Sequence, residues 1–272
     1  MRNGAPARVP SPAPEPERVT FRSRGGRDIC GLLHPPADVP AAGAVLFMPH
    51  GAWRAKETLW TLAIPQHAAQ EGFSVLELVP AARLAPAYPG ALDDAAAALA
   101  WLASSRRSRA LARGVIGEGT GANLAAALTV QAPHAAPTIL LSGIYDVPRL
   151  LATPGQALPV DRVREYLGVQ FLVRAADPVA SPARGALEGA PPTYLACGDR
   201  GPWPDQTIAM TGALARANVP VTCSMFAGDE RADADVAAAE LARALDWLRR
   251  TVASPPPRIG DADHPVTLAL RA

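Results

Sequence analysis

A chain of 272 residues, 49% hydrophobic and 19% charged, is long and apolar enough to bury one large core. Its 26 Lys+Arg nearly cancel 25 Asp+Glu, for a formal net charge of +1. Without a basic run, that balance excludes the electrostatic footprint of a protein working on nucleic acid or on an anionic membrane surface. The lone lysine, Lys56, and the abundant alanine read as GC-rich coding and carry no functional weight.

Met1–Arg18 holds five prolines and no apolar h-region, so residues 1–18 are expected to form a disordered leader. No stretch reaches the roughly 18 apolar residues of a spanning helix. Cys30, Cys197 and Cys223 are an odd number without C-x-x-C spacing, each in or beside an apolar run. They are expected as buried reduced thiols in a cytoplasmic protein.

From residue 19 to 251, short β-rich runs alternate with Ala/Leu-rich amphipathic segments, the pattern of βαβ units around a mostly parallel sheet. The fold class is α/β. Val19–Phe21 and Asp28–Leu33 read as an antiparallel opening pair. Ala44–Met48, Ser74–Val79, Gly114–Gly117, Thr138–Leu141, Thr193–Ala196 and Val219–Phe226 follow, which makes eight strands in all. Helices are expected near Glu57–Gln70, Gly90–Ser104, Ala122–Gln131, Gln206–Ala217 and Ala232–Thr251. The irregular, Pro-containing segment 148–184 lacks a strand and is expected as a small cap over the strand C-termini. Residues 252–272 turn Pro-rich and polar again and are expected as a loose tail.

Two segments carry the first chemical signal. Met48-Pro49-His50-Gly51-Ala52-Trp53 follows an apolar strand, where a His-Gly loop can aim the backbone N–H groups of Gly51 and Ala52 into a pocket as an oxyanion hole. Arg83-Leu84-Ala85-Pro86, then Tyr88-Pro89-Gly90-Ala91-Leu92-Asp93-Asp94, runs into the next helix. Together they resemble the esterase, hormone-sensitive-lipase and arylformamidase (kynurenine formamidase) branch of the α/β-hydrolase superfamily. There an HGG-W loop and a Y-R-L-x-P…P-x-x-x-x-D run precede the nucleophile. The likeness spans roughly Asp28 to Thr251 and implies that His50 and Trp53 line the substrate site.

Val115-Ile116-Gly117-Glu118-Gly119-Thr120-Gly121-Ala122-Asn123-Leu124 is laid out as strand, glycine-rich turn and helix, like the G-x-S-x-G nucleophile elbow. The nucleophile position holds Gly119. Glycine has no Oγ, so the acyl-enzyme route of serine hydrolases is closed there, although glycine takes φ > 0 without penalty and lets the turn survive. The resemblance makes the Thr120 N–H the second oxyanion donor. Thr120 as a substitute nucleophile is disfavoured by its stiff β-branched side chain. Glu118 fills the variable elbow position, either as a structural group or as an acid/base.

Leu141-Ser142-Gly143-Ile144-Tyr145-Asp146 resembles the S-G-x-Y-D-L run of arylformamidase-like proteins, which in relatives lines the pocket floor and starts the cap; the resemblance implies that Tyr145 and Asp146 are structural anchors, with Tyr145 also a candidate substrate contact. Asp199, in Cys197-Gly198-Asp199-Arg200, fits the family acid position, with Asp205 as a second candidate. Relatives place a general-base histidine after the last strand. The chain has Ala227-Gly228-Asp229-Glu230-Arg231 there and no histidine. His34, His67 and His134 fall far from that corner, and His264 lies in the expected tail.

No P-loop, G-x-G-x-x-G, H-E-x-x-H or Cys/His metal spacing appears, so neither cofactor nor metal is expected. Three functions follow. The first is a non-hydrolytic enzyme, of lyase, cyclase or isomerase type, acting on a small carbonyl compound through the oxyanion donors and a carboxylate from Glu118, Asp199 or Glu230. The second is a ligand-binding or protein-interaction module on a silent hydrolase frame. The third is an esterase or formamidase with unorthodox machinery. The expected partner is a small carbonyl-containing molecule, with a homodimer left open.

Overall fold

The computed structural model describes residues 14–23, 25–37, 41–49, 59–79, 88–108, 111–131, 136–153, 160–168, 170–229, 232–253 and 266–270. The expected strands are present as β1 (Glu17–Arg22), β2 (Asp28–His34), β3 (Gly43–Met48), β4 (Phe73–Leu78), β5 (Arg113–Glu118), β6 (Thr138–Leu141), β7 (Thr193–Gly198) and β8 (Val221–Phe226). Between them run α1 (Leu59–Gln70), α2 (Gly90–Ser104), α3 (Thr120–Gln131) and α7 (Pro204–Arg216), with α8 (Ala234–Ala253) after β8.

With a ninth strand, β9 (Val266–Leu270), the order across the sheet is β1-β2-β4-β3-β5-β6-β7-β8-β9. β1 pairs antiparallel with β2, the opening pair expected from sequence, and β2 also pairs antiparallel with β4. The other neighbours are parallel, with Val45 opposite Val75, for example. β9 (Val266–Leu270) corrects the sequence reading: it falls within the segment expected to be a loose tail, yet it continues the sheet beside β8, Val221 opposite Val266. The prolines at 255–257 and 265 dominate the composition there and conceal a five-residue, Pro-free β run that gives the β8 edge a partner. β1 likewise takes in the last two residues of the expected leader, starting at Glu17.

The parallel strands read as nearly unbroken apolar runs because both faces are covered. One face buries Leu46, Leu76, Val115, Leu140 and Leu195 against α2, α3 and α7. The other buries Phe47, Val75, Ile116, Leu141 and Phe226 against Trp60 and Ile64 of α1 and Leu241, Leu245 and Leu248 of α8.

Between β6 and β7 lie α4 (Val147–Ala152), α5 (Val160–Leu167), α6 (Phe171–Arg174) and a 3-10 turn at Pro182–Arg184, with no strand among the described residues of this segment. The excursion is tied down by hydrogen bonds. Asn123 Nδ2 donates to Ile144 O (2.8 Å) and Ala180 O (2.9 Å), and Tyr88 OH donates to Asp177 Oδ2 (2.7 Å). Among the described residues no helix is long and apolar enough to cross a membrane. Cys30, Cys197 and Cys223 are free thiols, the last two buried.

Candidate functional site

The C-terminal ends of the parallel strands are stitched edge to edge by three backbone hydrogen bonds. Gly119 N donates to Leu141 O, Ser142 N to Ala196 O, and Asp199 N to Phe226 O, each at 2.8 Å. This row, running from β5 to β8, is where the sequence places the elbow, the S-G-x-Y-D motif and the acid.

The elbow is built as expected. β5 ends at Glu118, α3 starts at Thr120, and Gly119 between them has φ +58°, the left-handed conformation that glycine adopts without strain. The flanking glycines are required by packing. A Cβ on Gly121 would lie 2.0 Å from Met48 O, and one on Gly117 would lie 2.6 Å from Ala122 Cα and from Gly121 O. The helix therefore sits hard against β3 and β5, and its first turn faces the strand ends. Thr120 is wholly buried at the start of α3.

Among the described residues, the candidate carboxylates Glu118 and Asp199 are both engaged by other groups. Glu118 is buried and accepts a hydrogen bond from Thr61 Oγ1 at 2.7 Å. It shares strand parity with Ile116, which packs in the α1/α8 layer, so its carboxylate lies toward α1 and not above the turn. Thr61 is 57 residues away in sequence, and no local pattern marks the pair. Asp199 does stand at the end of β7, in the acid position, but its Oδ1 accepts from the Gly228 backbone N–H (2.8 Å). Its side chain is 57% exposed, and Arg200 Nε stands 3.9 Å away. A backbone amide thus takes up one oxygen of the carboxylate. Asp205, in the first turn of α7, pairs with Arg149 Nε at 3.3 Å.

Tyr145 is packed inside the fold. Its side chain is 0% exposed, and burial holds its phenol well above the ordinary range. Its backbone N and that of Asp146 both donate to Gln206 Oε1, at 3.0 and 2.8 Å. Asp146 caps α4 by accepting from Arg149 N (3.0 Å) and pairs with Arg184 (2.9 Å). The S-G-x-Y-D motif thus holds the start of the excursion in place. Gln206 and Asn123, which hold it, carry no signal in the sequence beyond being polar in apolar helices.

His50, Gly51, Ala52, Trp53, Glu230 and His264 lie outside the described residues, as do Arg83 to Pro86. His34 bonds Glu77 (2.9 Å) between β2 and β4, and His67 bonds Ala63 O in the last turn of α1. Neither is at the β7–β8 corner. No group of three His, Cys, Asp or Glu side chains suited to a metal occurs among the described residues. A cavity of about 500 Å3 lined by Glu17, Leu33, Ser74, Arg107 and Leu111 sits at the opposite, N-terminal ends of the strands.

Comparison with known proteins agrees with this architecture. A family model described as the alpha/beta hydrolase fold matches residues 51–231. Among solved structures, EstE1, a thermophilic and thermostable carboxylesterase cloned from a metagenomic library, superposes with a TM-score of 0.76 at 20% identity, covering 90% of this chain and 91% of that one. Brefeldin A esterase, a bacterial homologue of human hormone sensitive lipase, gives 0.70 at 21% identity over 92% and 81% of the two chains. A Pyrobaculum calidifontis esterase gives 0.72 at 19% over 89% and 87%. At such identities the likeness is one of fold. No curated protein matches the sequence. With the sheet order, the elbow and the matched segment in agreement, the chain belongs to the α/β-hydrolase fold family.

Proposed function

We propose that this chain is a hydrolase-fold protein without serine-based ester hydrolysis, which uses the turn after β5 to bind a small molecule through a carbonyl or carboxylate oxygen. The observation that carries this is Gly119: the turn keeps its left-handed backbone and its close-packed flanking glycines while offering no hydroxyl. Retaining so constrained a backbone supports binding, because α3 begins at Thr120 beside the strand ends and the first-turn N–H groups of a helix have no partner within it, so they are the ones an oxyanion takes up.

The non-hydrolytic enzyme remains the second reading, of lyase, cyclase or isomerase type. It needs a carboxylate at the turn. Glu118 is engaged by Thr61 and Asp199 by Gly228, so the acid/base role falls to Glu230. An unorthodox esterase needs Glu230 or Thr120 to activate water or attack, and the burial of Thr120 speaks against the latter.

The test is a pair of measurements. Purified protein is expected to hydrolyse p-nitrophenyl butyrate no faster than a heat-denatured control, and to bind butyrate, seen as a shift of the Gly119 and Thr120 amide resonances. Gly119→Ser is expected to remain inactive for want of a base and to lose about 1–3 kcal/mol of stability, the strain of a side chain at that φ. Ester turnover abolished by Glu230→Gln would establish the hydrolase instead, and unmoved amides would sink the binding reading.

A further inference from the structure

The cavity at the N-terminal ends of the strands is separate from the turn after β5. Leu111 of its wall precedes β5 and Gly119 follows it, so a six-residue strand, about 20 Å long, lies between the two. At about 500 Å3 the cavity has the size of a small-molecule site. Its walls are largely apolar, built by Leu33 and Pro35 at and just past the end of β2 and by Leu111.

Ser74 supplies a polar point within this apolar lining. It is 6% exposed and shares strand parity on β4 with Leu76, so it faces the same layer as Leu33. No described residue hydrogen-bonds its hydroxyl, whereas buried hydroxyls are ordinarily paired. The rim is charged. Arg107, just past α2, donates to Glu17 of β1 at 2.5 Å, and each of these two groups is thereby matched. Glu15, which also lines the cavity, has no such partner among the described residues. Two carboxylates against one guanidinium leave the lining with one net negative charge. A ligand with an apolar body and a cationic end complements it, and a carboxylate in the same place would face Glu15 across the rim.

The geometry points to this cavity as a second ligand site, one for a small primary amine with an apolar body. Ser74 Oγ accepts one ammonium N–H, the Glu15 carboxylate balances the charge, and the apolar body lies against Leu33, Pro35 and Leu111. The inference is independent of the binding function proposed above, which concerns the other ends of the strands.

Phenethylammonium tests it against 3-phenylpropanoate, a probe of like shape and opposite charge, with binding read by isothermal titration at neutral pH. The amine is expected to bind with a Kd of about 1 mM or tighter, and the acid about tenfold more weakly. Ala41→Trp, which fills the cavity from its wall, is expected to weaken amine binding about tenfold or more. Ser74→Ala is expected to weaken it about fivefold, the effect of one lost hydrogen bond, and Glu15→Gln about threefold, that of one ion pair open to water. Thermal unfolding of each variant, measured in parallel, separates lost binding from lost structure. Equal affinity for amine and acid, unchanged amine affinity in any of the folded variants, or no amine binding by the wild type overturns the inference. Butyrate binding is expected to be the same in all three variants as in the wild type, so the two sites fail or stand separately.

Discussion

The turn after β5 and the interface beneath α8 use their residues in opposite ways. At the turn the backbone is held within narrow limits by Gly117 and Gly121, yet the side chain at its apex is gone. Beneath α8 the reactive side chains are all present: Glu240 is wholly buried, accepts from Tyr194 OH (2.5 Å), and pairs with Arg243 at 2.7 Å. Every group there is engaged by another, so the carboxylate joins helix to sheet and is not free for chemistry. Presence of a titratable residue is thus a poor guide to a site in this fold, and a preserved backbone constraint is a better one.

The largest expected effect strikes the constrained side of that contrast. Gly121→Ala drives a methyl into Met48 O, 2.0 Å away, and a backbone atom cannot rotate aside. The change is expected to cost about 3 kcal/mol or more, beyond ordinary overpacking, read from urea unfolding midpoints. A loss under about 1 kcal/mol would mean that α3 can slide from β3 and that the turn is not held.

The engaged side is probed by alkali. Burial, and then the neighbouring Glu240 carboxylate, holds the Tyr194 phenol well above its ordinary 10.0. Burial and the hydrogen bond to Asp177 act likewise on Tyr88. Above pH 10 the unfolded chain releases these protons while the folded chain keeps them. The stability is thus fully present below that pH and is lost as the pH rises toward the folded values. Each such tyrosine steepens the decline by at most about 1.4 kcal/mol per pH unit. Tyr194→Phe is expected to flatten the curve of urea midpoint against pH above 10, and an unchanged slope would place the ionisation elsewhere.

Much of the frame was legible in the sequence because parallel strands buried on both faces leave continuous apolar runs, as at Gly43–Met48, and because glycines punctuate the elbow. β9 was hidden because five residues after a proline-rich stretch give too little periodicity to outweigh composition. The setting of Tyr145 was only partly legible for a different reason: a motif fixes where a backbone goes, whereas the contacts that hold this residue involve Gly143 and Gln206, the latter 61 residues away. Glu118 could have been resolved further, since its parity with Ile116 already sends it to the α1 face.

The smallest effect bears on Asp199, where the two kinds of region meet. In a working triad the acid orients a histidine, and exchanging it for the amide costs on the order of 10⁴ in kcat. Here its Oδ1 bonds the Gly228 N–H, and more than half of the side chain is in water. Asp199→Asn keeps an acceptor and is expected to change neither unfolding midpoint nor butyrate affinity measurably. Asp199→Ala is expected to lose about 0.5–1 kcal/mol, the worth of one partly solvated hydrogen bond joining the β7 and β8 ends. A loss of butyrate binding in Asp199→Asn, with the fold intact, would return this carboxylate to the site and revive acid/base chemistry at the turn.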